Sequence, residues 1–429
     1  MLAVFAVVFI LLLLIGVPIS MALGGAALLP GLINDTFTAG GEFITRSMFG
    51  GLDSFLLLAI PMFVLSGIIM AKGGISKKLF EVFAFFIGKR TAGMPCAVIV
   101  TCLFYGAISG SSPATVAAVG SMSIPMLVNM GYDKVFSTAL IAVSGGLGVI
   151  IPPSIPFILY GSASGASVGK MFTAGILPGF LIAFFLMGYA IAYCKRNGED
   201  KDKINYAVNG LRSKGFLKVL KESFWALLTP VIILGCIYSG IASPTEAAVI
   251  SVFYSLIISL FIYKTLEFRD LWDVFTEAIK TYGPILFILS AAVAFSRVLN
   301  LLQVPQVSSE WILSTFHSKI SVLLVITVFL LIVGMFMETT PAILIITPIL
   351  VPIVEQFGVD PIHFGIMMVV NLAIGFVTPP MGVNLFIASS LSNVPVVQIT
   401  KKAIPLLLMF FVALLLITFV PQISLLLLG

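Results

Sequence analysis

The chain is poor in charge, in histidine and in cysteine, and each shortage closes off a class of function. Only 10% of its 429 residues are Asp, Glu, Lys or Arg, against 60% hydrophobic; a soluble domain carries about 25% charged residues. No charge occurs in the first 21 residues, whereas a cleaved signal peptide opens on a basic stretch and closes on a small-residue cleavage site. The opening segment is therefore expected as a retained helix. The two histidines, His317 and His363, stand far apart, and Cys96, Cys102, Cys194 and Cys236 lie in or beside apolar segments without ligand spacing. That pattern argues against a transition-metal site and for cysteine as a small hydrophobe. No nucleophile–base pair or phosphate loop is visible; "SGSSP" (109–113) lacks the lysine of a P-loop. An enzyme, a cofactor and an ATPase are not expected. The 23 basic residues are scattered among short loops, which excludes a nucleic-acid surface. Alternating strands of a transmembrane β-barrel are absent. What is present is a series of long apolar runs, near the roughly 20 residues that a bilayer span requires. The fold class expected is an all-α polytopic membrane protein.

The basic residues orient it. The polar interval from Cys194 to Ser223 carries eight of the 23 Lys and Arg residues, and the positive-inside rule puts it in the cytoplasm. Working outward, Leu177–Tyr193, Phe224–Tyr238, Pro244–Tyr263 and Gly283–Leu299 are spans. Lys264–Lys280 reads as an amphipathic helix on the inner interface. With Lys89, Arg90 and Lys134 all wanting the cytoplasm, the chain between them must enter and return on one side. Two ordinary full spans would also satisfy that topology, but the arms are short and the middle, "SGSSP", is polar, which favours the tip of a re-entrant hairpin, because polar irregular backbone at depth must be buried in protein or line a cavity. A second hairpin has "METT" (337–340) at its tip. The first 35 residues form one span or two short ones.

The two halves repeat. "NMGYD" (129–133) matches "QFGVD" (356–360), "GVIIPPS" (148–154) matches "GFVTPPM" (375–381), and "ILPG" (176–179) matches "AIPL" (403–406), all offset by 227; "SSP" (111–113) matches "TTP" (339–341) one residue further on. Entry from opposite faces makes the repeat inverted, and inverted repeats with discontinuous helices at the midplane typify secondary transporters. The expected organisation is N-terminal scaffold helices over 1–50 and a first repeat over 51–193, with its hairpin at about 94–130 and broken helix at about 135–165. A linker with scaffold helices and the amphipathic arm follows over 194–280. The second repeat covers 281–429, with its hairpin at about 321–354 and broken helix at about 362–391.

In both tips the hydroxyl residue before proline can cap a helix, whose N–H groups and dipole favour an anionic group. The incoming half-helix ends there too, and its free carbonyls with the hydroxyls suit Na+, one ion per repeat. Consecutive prolines (152–153, 379–380) should unwind each broken helix. Glu338 is the one carboxylate predicted at depth, where an ionisable group is a functional candidate. It assists Na+, contacts substrate, carries a proton or bonds the tip backbone. Arg297 snorkels outward or meets substrate. Asn371 and Asn384 either line the site or satisfy freed backbone.

The stretches "LAIPMFVLSGIIM", "GAISGSSPATVAAVGSMSIPMLV", "SGGLGVIIPPSIPFILYGSASGASVGKMFTAGILPG" and "GMFMETTPAILIITPILVPIV" resemble the large membrane subunit of tripartite ATP-independent periplasmic (TRAP) transporters. The likeness covers nearly the whole chain. It implies an elevator-type, ion-transporter-superfamily fold in the bacterial inner membrane. It also implies two partners, a small four-helix membrane subunit and a periplasmic substrate-binding protein, and Na+-coupled uptake of an organic acid. By that likeness Ser109, Gly110, Ser111, Ser112, Gly145 and Ser154 serve a first Na+ site and the substrate carboxylate. Glu338, Thr339, Thr340, Gly375, Thr378 and Met381 serve a second, and Asn384 joins Ser109, Ser111, Ser112, Ser154 and Glu338 at the substrate. Overall likeness favours sialic acid as substrate, then a four-carbon dicarboxylate. A stand-alone Na+/anion symporter of the same superfamily and a passive channel are the rival readings.

Overall fold

The computed structural model describes residues 2–33, 40–316 and 318–428; His317 and positions 34–39 of the N-terminal segment lie outside them. Among the described residues every regular element is a helix. The N-terminal part holds α1 (Leu2–Leu14), α2 (Ile19–Ile33) and α3 (Gly41–Leu52). Next come α4 (Ala59–Lys72), α5 (Ile75–Ile87), and a hairpin of α6 (Gly93–Ser109) and α7 (Ser112–Asn129). A broken pair, α8 (Lys134–Ser144) and α9 (Ile155–Ser164), leads into α10 (Val168–Asn197). The middle is α11 (Lys201–Arg212), α12 (Phe216–Tyr238) and α13 (Pro244–Ile257). Then follow α14 (Leu271–Leu301), α15 (Val304–Thr315), a second hairpin of α16 (Lys319–Phe336) and α17 (Thr339–Gln356), a second broken pair of α18 (Pro361–Gly375) and α19 (Val383–Ser392), and α20 (Val396–Phe419). Eight of the described helical segments are long and apolar enough to cross a membrane, and the chain is a multi-pass membrane protein.

The order of elements repeats. Helices starting at 93, 112, 134, 155 and 168 have counterparts starting at 319, 339, 361, 383 and 396. The matched Gly-x-Asp turns do the same work in each copy. Gly131 and Gly358 take left-handed φ of 90° and 68° as the preceding helix ends, a conformation glycine adopts without a Cβ penalty. Two residues on, Asp133 and Asp360 cap α8 and α18: their carboxylates accept from Phe136 N (2.7 Å) and from Ile362 N (2.8 Å). Each cap satisfies orphan N–H groups of a new helix.

The open end of each hairpin is also fastened. Glu199, just beyond α10, accepts from Ala92 N ahead of α6 (3.0 Å) and from the Tyr132 hydroxyl beyond α7 (2.6 Å). Burial first, and then this bond to the carboxylate, push the Tyr132 phenol above its ordinary pKa, so it stays a donor. In the second hairpin Lys319 Nζ donates to Gly358 O (3.0 Å).

Burial separates two kinds of helix. Of the most apolar stretch of α12 only 28% is buried, and of α16 33%, against 72% for α17. The first two therefore turn apolar side chains outward, as lipid-facing helices do, while α17 is enclosed by protein. Each inner hairpin arm packs on the second half of the other broken helix, α7 on α19 and α17 on α9. One expectation changes here. Lys264–Lys280 is not a separate amphipathic helix: 264–267 lie outside helix, and from Leu271 one 31-residue helix runs through the expected span. Pro284 lies inside it, and a lone proline in a membrane helix is tolerated because neighbours re-satisfy the freed carbonyl.

Candidate functional site

At the first tip, α6 ends on Ser109 and Gly110 turns the chain with φ 59°. A side chain at Gly110 would press to 2.8 Å from Pro153 O, so the turn also needs glycine for space. The cap of α7 is Ser111, one residue earlier than expected. Thr115 N and Thr115 Oγ1 both donate to Ser111 O (3.1 and 2.8 Å), which closes the first turn there. Ser111 Oγ accepts from Ala114 N (3.5 Å), and Ser109 Oγ lies 3.0 Å from Thr115 Oγ1. Ser112 is then the first helical residue, fully buried.

The first break sits on this tip. Beyond α8 the chain makes a tight turn over Gly145–Val149, passes the cis Pro152–Pro153 bond and restarts at Ser154. A Cβ on Gly106 would fall 2.6 Å from Gly148 Cα, and one on Gly148 would fall 2.7 Å from Ser111 O. Ile155 N donates to Gly110 O (3.3 Å), tying break to tip. Ser154 is a cap: its hydroxyl donates to Val149 O (2.5 Å) and accepts from Phe157 N (3.4 Å). Its Oγ is thereby spent on backbone.

The second copy shares the frame and differs in chemistry. Gly334 lies with its backbone on Gly375, the positions corresponding to Gly106 and Gly148. Met381 N donates to Met335 O (3.1 Å), again joining break and tip. Here α17 closes on Glu338, whose O accepts from Ala342 N (3.2 Å), so the cap is Glu338 and not Thr340. The Glu338 side chain makes no capping bond, and part of it reaches the chain surface at the tip. Thr339 and Thr340 are buried, Thr378 Oγ1 donates to Ile374 O (2.9 Å), and Met381 is 48% exposed.

The copies meet at Asn384. Its Nδ2 donates to Ser112 Oγ (2.8 Å) and to Ala142 O (2.9 Å), joining the start of α19 to the first tip and to α8. Gly145 lies beside this amide: a Cβ there would stand 3.5 Å from Asn384 Nδ2 and from Ser112 O. Around the tips and breaks, Ser144 Oγ, Thr339 Oγ1, Asn371 Oδ1 and Asn384 Oδ1 are buried oxygens without a hydrogen-bond partner. Buried acceptors left unpaired are uncommon and call for an explanation such as a bound ion or water. Ser144 and Asn371 correspond at the 227 offset, so the repeat itself could have pointed to Ser144. Thr115, four residues on from Ser111, was missed beside a recognised motif. The carbonyl of Ala142 carries no sequence signal.

A cavity of about 680 Å³ lies over the first tip, walled by Gly67, Tyr105, Ser109, Ser111, Ala114 and Ile155. Lys72, Lys77 and Glu277 also line it, and Lys72 pairs with Glu277 (2.8 Å). Of the predicted site residues, Ser109 and Ser111 line this space. Ser112, Ser154 and Asn384 are fully buried and do not. Arg297 stands apart, exposed, with a 3.2 Å bond to Ser47 Oγ.

The family described as "Tripartite ATP-independent periplasmic transporter, DctM component" matches residues 6–423. The chain is 45% identical over 419 residues to the isethionate TRAP transporter permease protein DctMQ of Oleidesulfovibrio alaskensis, covering 97% of this chain and 64% of that protein's length. It is 39% identical over 375 residues to the C4-dicarboxylate TRAP transporter large permease protein DctM of Pseudomonas aeruginosa, covering 87% of this chain and 86% of the relative. With the sialic acid TRAP transporter large permease protein SiaM of Vibrio cholerae identity is 34% over 416 residues, covering 97% and 96%. Two solved structures share the fold at 14% identity. The YdaH transporter of Alcanivorax borkumensis has a TM-score of 0.60 over 93% of this chain and 96% of that one. MtrF of Neisseria gonorrhoeae has a TM-score of 0.62 over 94% of each.

Proposed function

The chain belongs to the DctM family of TRAP transporters, and from that premise we propose that it imports a small organic acid or sulfonate, driven by Na+. In this reading the repeats are inverted, and the two tips approach the membrane midplane from opposite faces. A small membrane subunit and a periplasmic binding protein complete the machine, and the hairpins with their broken helices move as an elevator. Substrate enters the cavity at Ser109 and Ser111, where the start of α7 offers N–H groups and a positive dipole end to an anion. The observation that carries the coupling is the set of unpaired buried oxygens of Ser144, Thr339, Asn371 and Asn384. A hard, oxygen-seeking cation satisfies such groups. Gly145, Ser112 and Ser144 frame the first ion, with Gly375, Thr339 and Asn371 around the second.

Three relatives are named for isethionate, C4-dicarboxylates and sialic acid. The 45% identity to the first against 34% to the last moves a short sulfonate ahead of sialic acid. The test is uptake into proteoliposomes holding the chain with its small subunit and binding protein, under an inward Na+ gradient. Isethionate, succinate and N-acetylneuraminate are offered separately. Uptake that collapses without the gradient is expected. Equal uptake with Na+ balanced overturns the coupling, and robust uptake by this chain alone favours the stand-alone symporter.

A further inference from the structure

A second cavity, of about 820 Å³, lies away from the tips, where the junction of α4 and α5 meets the start of α12 and the segment that follows α13. Its walls carry Lys77, Lys78, Lys214, Lys218 and Lys221, against the carboxylates of Glu81 and Glu222. The two acids are already engaged. Lys78 Nζ lies 2.9 Å from Glu222 and 3.7 Å from Glu81, and Lys214 Nζ lies 4.0 Å from Glu81. Lys77, Lys218 and Lys221 have no ion-pair partner among the described residues. Five lysines against two carboxylates leave the cavity wall with an excess of three positive charges, in a chain that is only 10% charged. Like charges on one wall repel, and an anion between them reverses the sign of that interaction.

The neighbourhood says which anion. Trp225 and Tyr263 stand on the cavity wall, the residue types that concentrate at headgroup level. Past them α12 presents exposed Phe224 (47%) and Val231 (62%), an apolar strip running from the pocket along the lipid-facing side of the helix. A free anion has no use for that strip, whereas acyl chains do. We infer that this pocket binds the phosphate headgroup of an anionic phospholipid, whose acyl chains lie along α12. Basic pockets between helices on the cytoplasmic side take such headgroups. Lys77 also lines the cavity over the first tip, so the bound headgroup shares a cation with the mouth of that cavity.

The test uses the purified full chain in neutral detergent. Apparent melting temperature is followed while phosphatidylglycerol, phosphatidylcholine or inorganic phosphate is titrated in. Phosphatidylglycerol should give a saturable rise that phosphatidylcholine does not. Each lysine near an anionic lipid strengthens binding roughly five-fold, so Lys218→Gln with Lys221→Gln should raise the half-saturating phosphatidylglycerol concentration about 25-fold. If the double variant does not fold, Lys221→Gln alone should show the roughly five-fold step. Equal effects of phosphatidylcholine, an equal effect of inorganic phosphate, or unchanged half-saturation in the variants would each overturn the assignment.

Discussion

Replacing Asn384 with alanine tests the junction between the two halves most directly. Its amide nitrogen serves Ser112 Oγ at 2.8 Å and Ala142 O at 2.9 Å, at a fully buried position. A buried hydrogen bond contributes about 0.5–1.5 kcal/mol net, and an orphaned buried acceptor costs about 1–3 kcal/mol. Asn384→Ala removes two bonds and strands the Ala142 carbonyl, so the loss should be about 2–4 kcal/mol. Membrane proteins in detergent commonly unfold irreversibly, so the quantity to read is the unfolding rate at fixed temperature. Expressed on that barrier, 2 kcal/mol is roughly 30-fold. A double-mutant cycle with Ser112→Ala isolates the contact, because groups that touch couple by about 0.5–3 kcal/mol whereas distant ones add. Asn384→Asp keeps the shape but turns the donor into an acceptor. It should unfold as fast as the alanine variant without Na+ and recover more of the loss when Na+ is added. Unfolding within two-fold of wild type for Asn384→Ala, with strict additivity to Ser112→Ala, would refute the reasoning.

Gly106→Ala would place a methyl 2.6 Å from Gly148 Cα; backbone cannot yield as a flexible side chain does, so at least the 1–3 kcal/mol typical of overpacking is expected. Gly375→Ala should behave alike, because its methyl would run into the Gly334 backbone, and wild-type thermal stability and uptake in both would contradict the close approach. Ser111→Ala with Ser112→Ala removes the α7 cap, worth about 1 kcal/mol, and an Asn384 partner. Na+ half-saturation in uptake should rise several-fold while expression persists. Glu338→Gln leaves the α17 cap intact, because the side chain makes no capping bond, and changes Na+ dependence or the pH profile of uptake. If both profiles stay wild-type, Glu338 has no part in transport. Each of these is checked by thermal unfolding alongside proteoliposome uptake.

Much of the architecture was legible in the sequence for local reasons. Hydrophobic runs of bilayer length require helices in a solvent that cannot satisfy open backbone. The Gly-x-Asp turns set where α7 and α17 end and where α8 and α18 begin, since a left-handed glycine and a capping carboxylate act within a few residues. Prolines in pairs marked both breaks. The 227 offset carried these signals from one half to the other, and the helix starts follow it. What local signals misplaced was also local. Two elements expected separately, Lys264–Lys280 and Gly283–Leu299, join in α14, and the caps at the tips moved to Ser111 and Glu338, because the first hydrogen-bonded turn and not the proline decides where a helix closes.

The site depended on tertiary structure. Asn384 meets Ser112 across 272 residues of chain, and no periodicity or motif links them; the packing of α19 on α7 does. The cavity at Ser109 and Ser111 likewise arises from how neighbours pack, as does the placing of Lys77, Lys218 and Lys221 on the wall of one hollow. The sequence by itself determined that this chain is a helical membrane protein built twice over, because hydrophobicity, caps and prolines act at short range. Only the tertiary structure decided which oxygens and charges face one another, because side chains distant in sequence share a site only after helices pack.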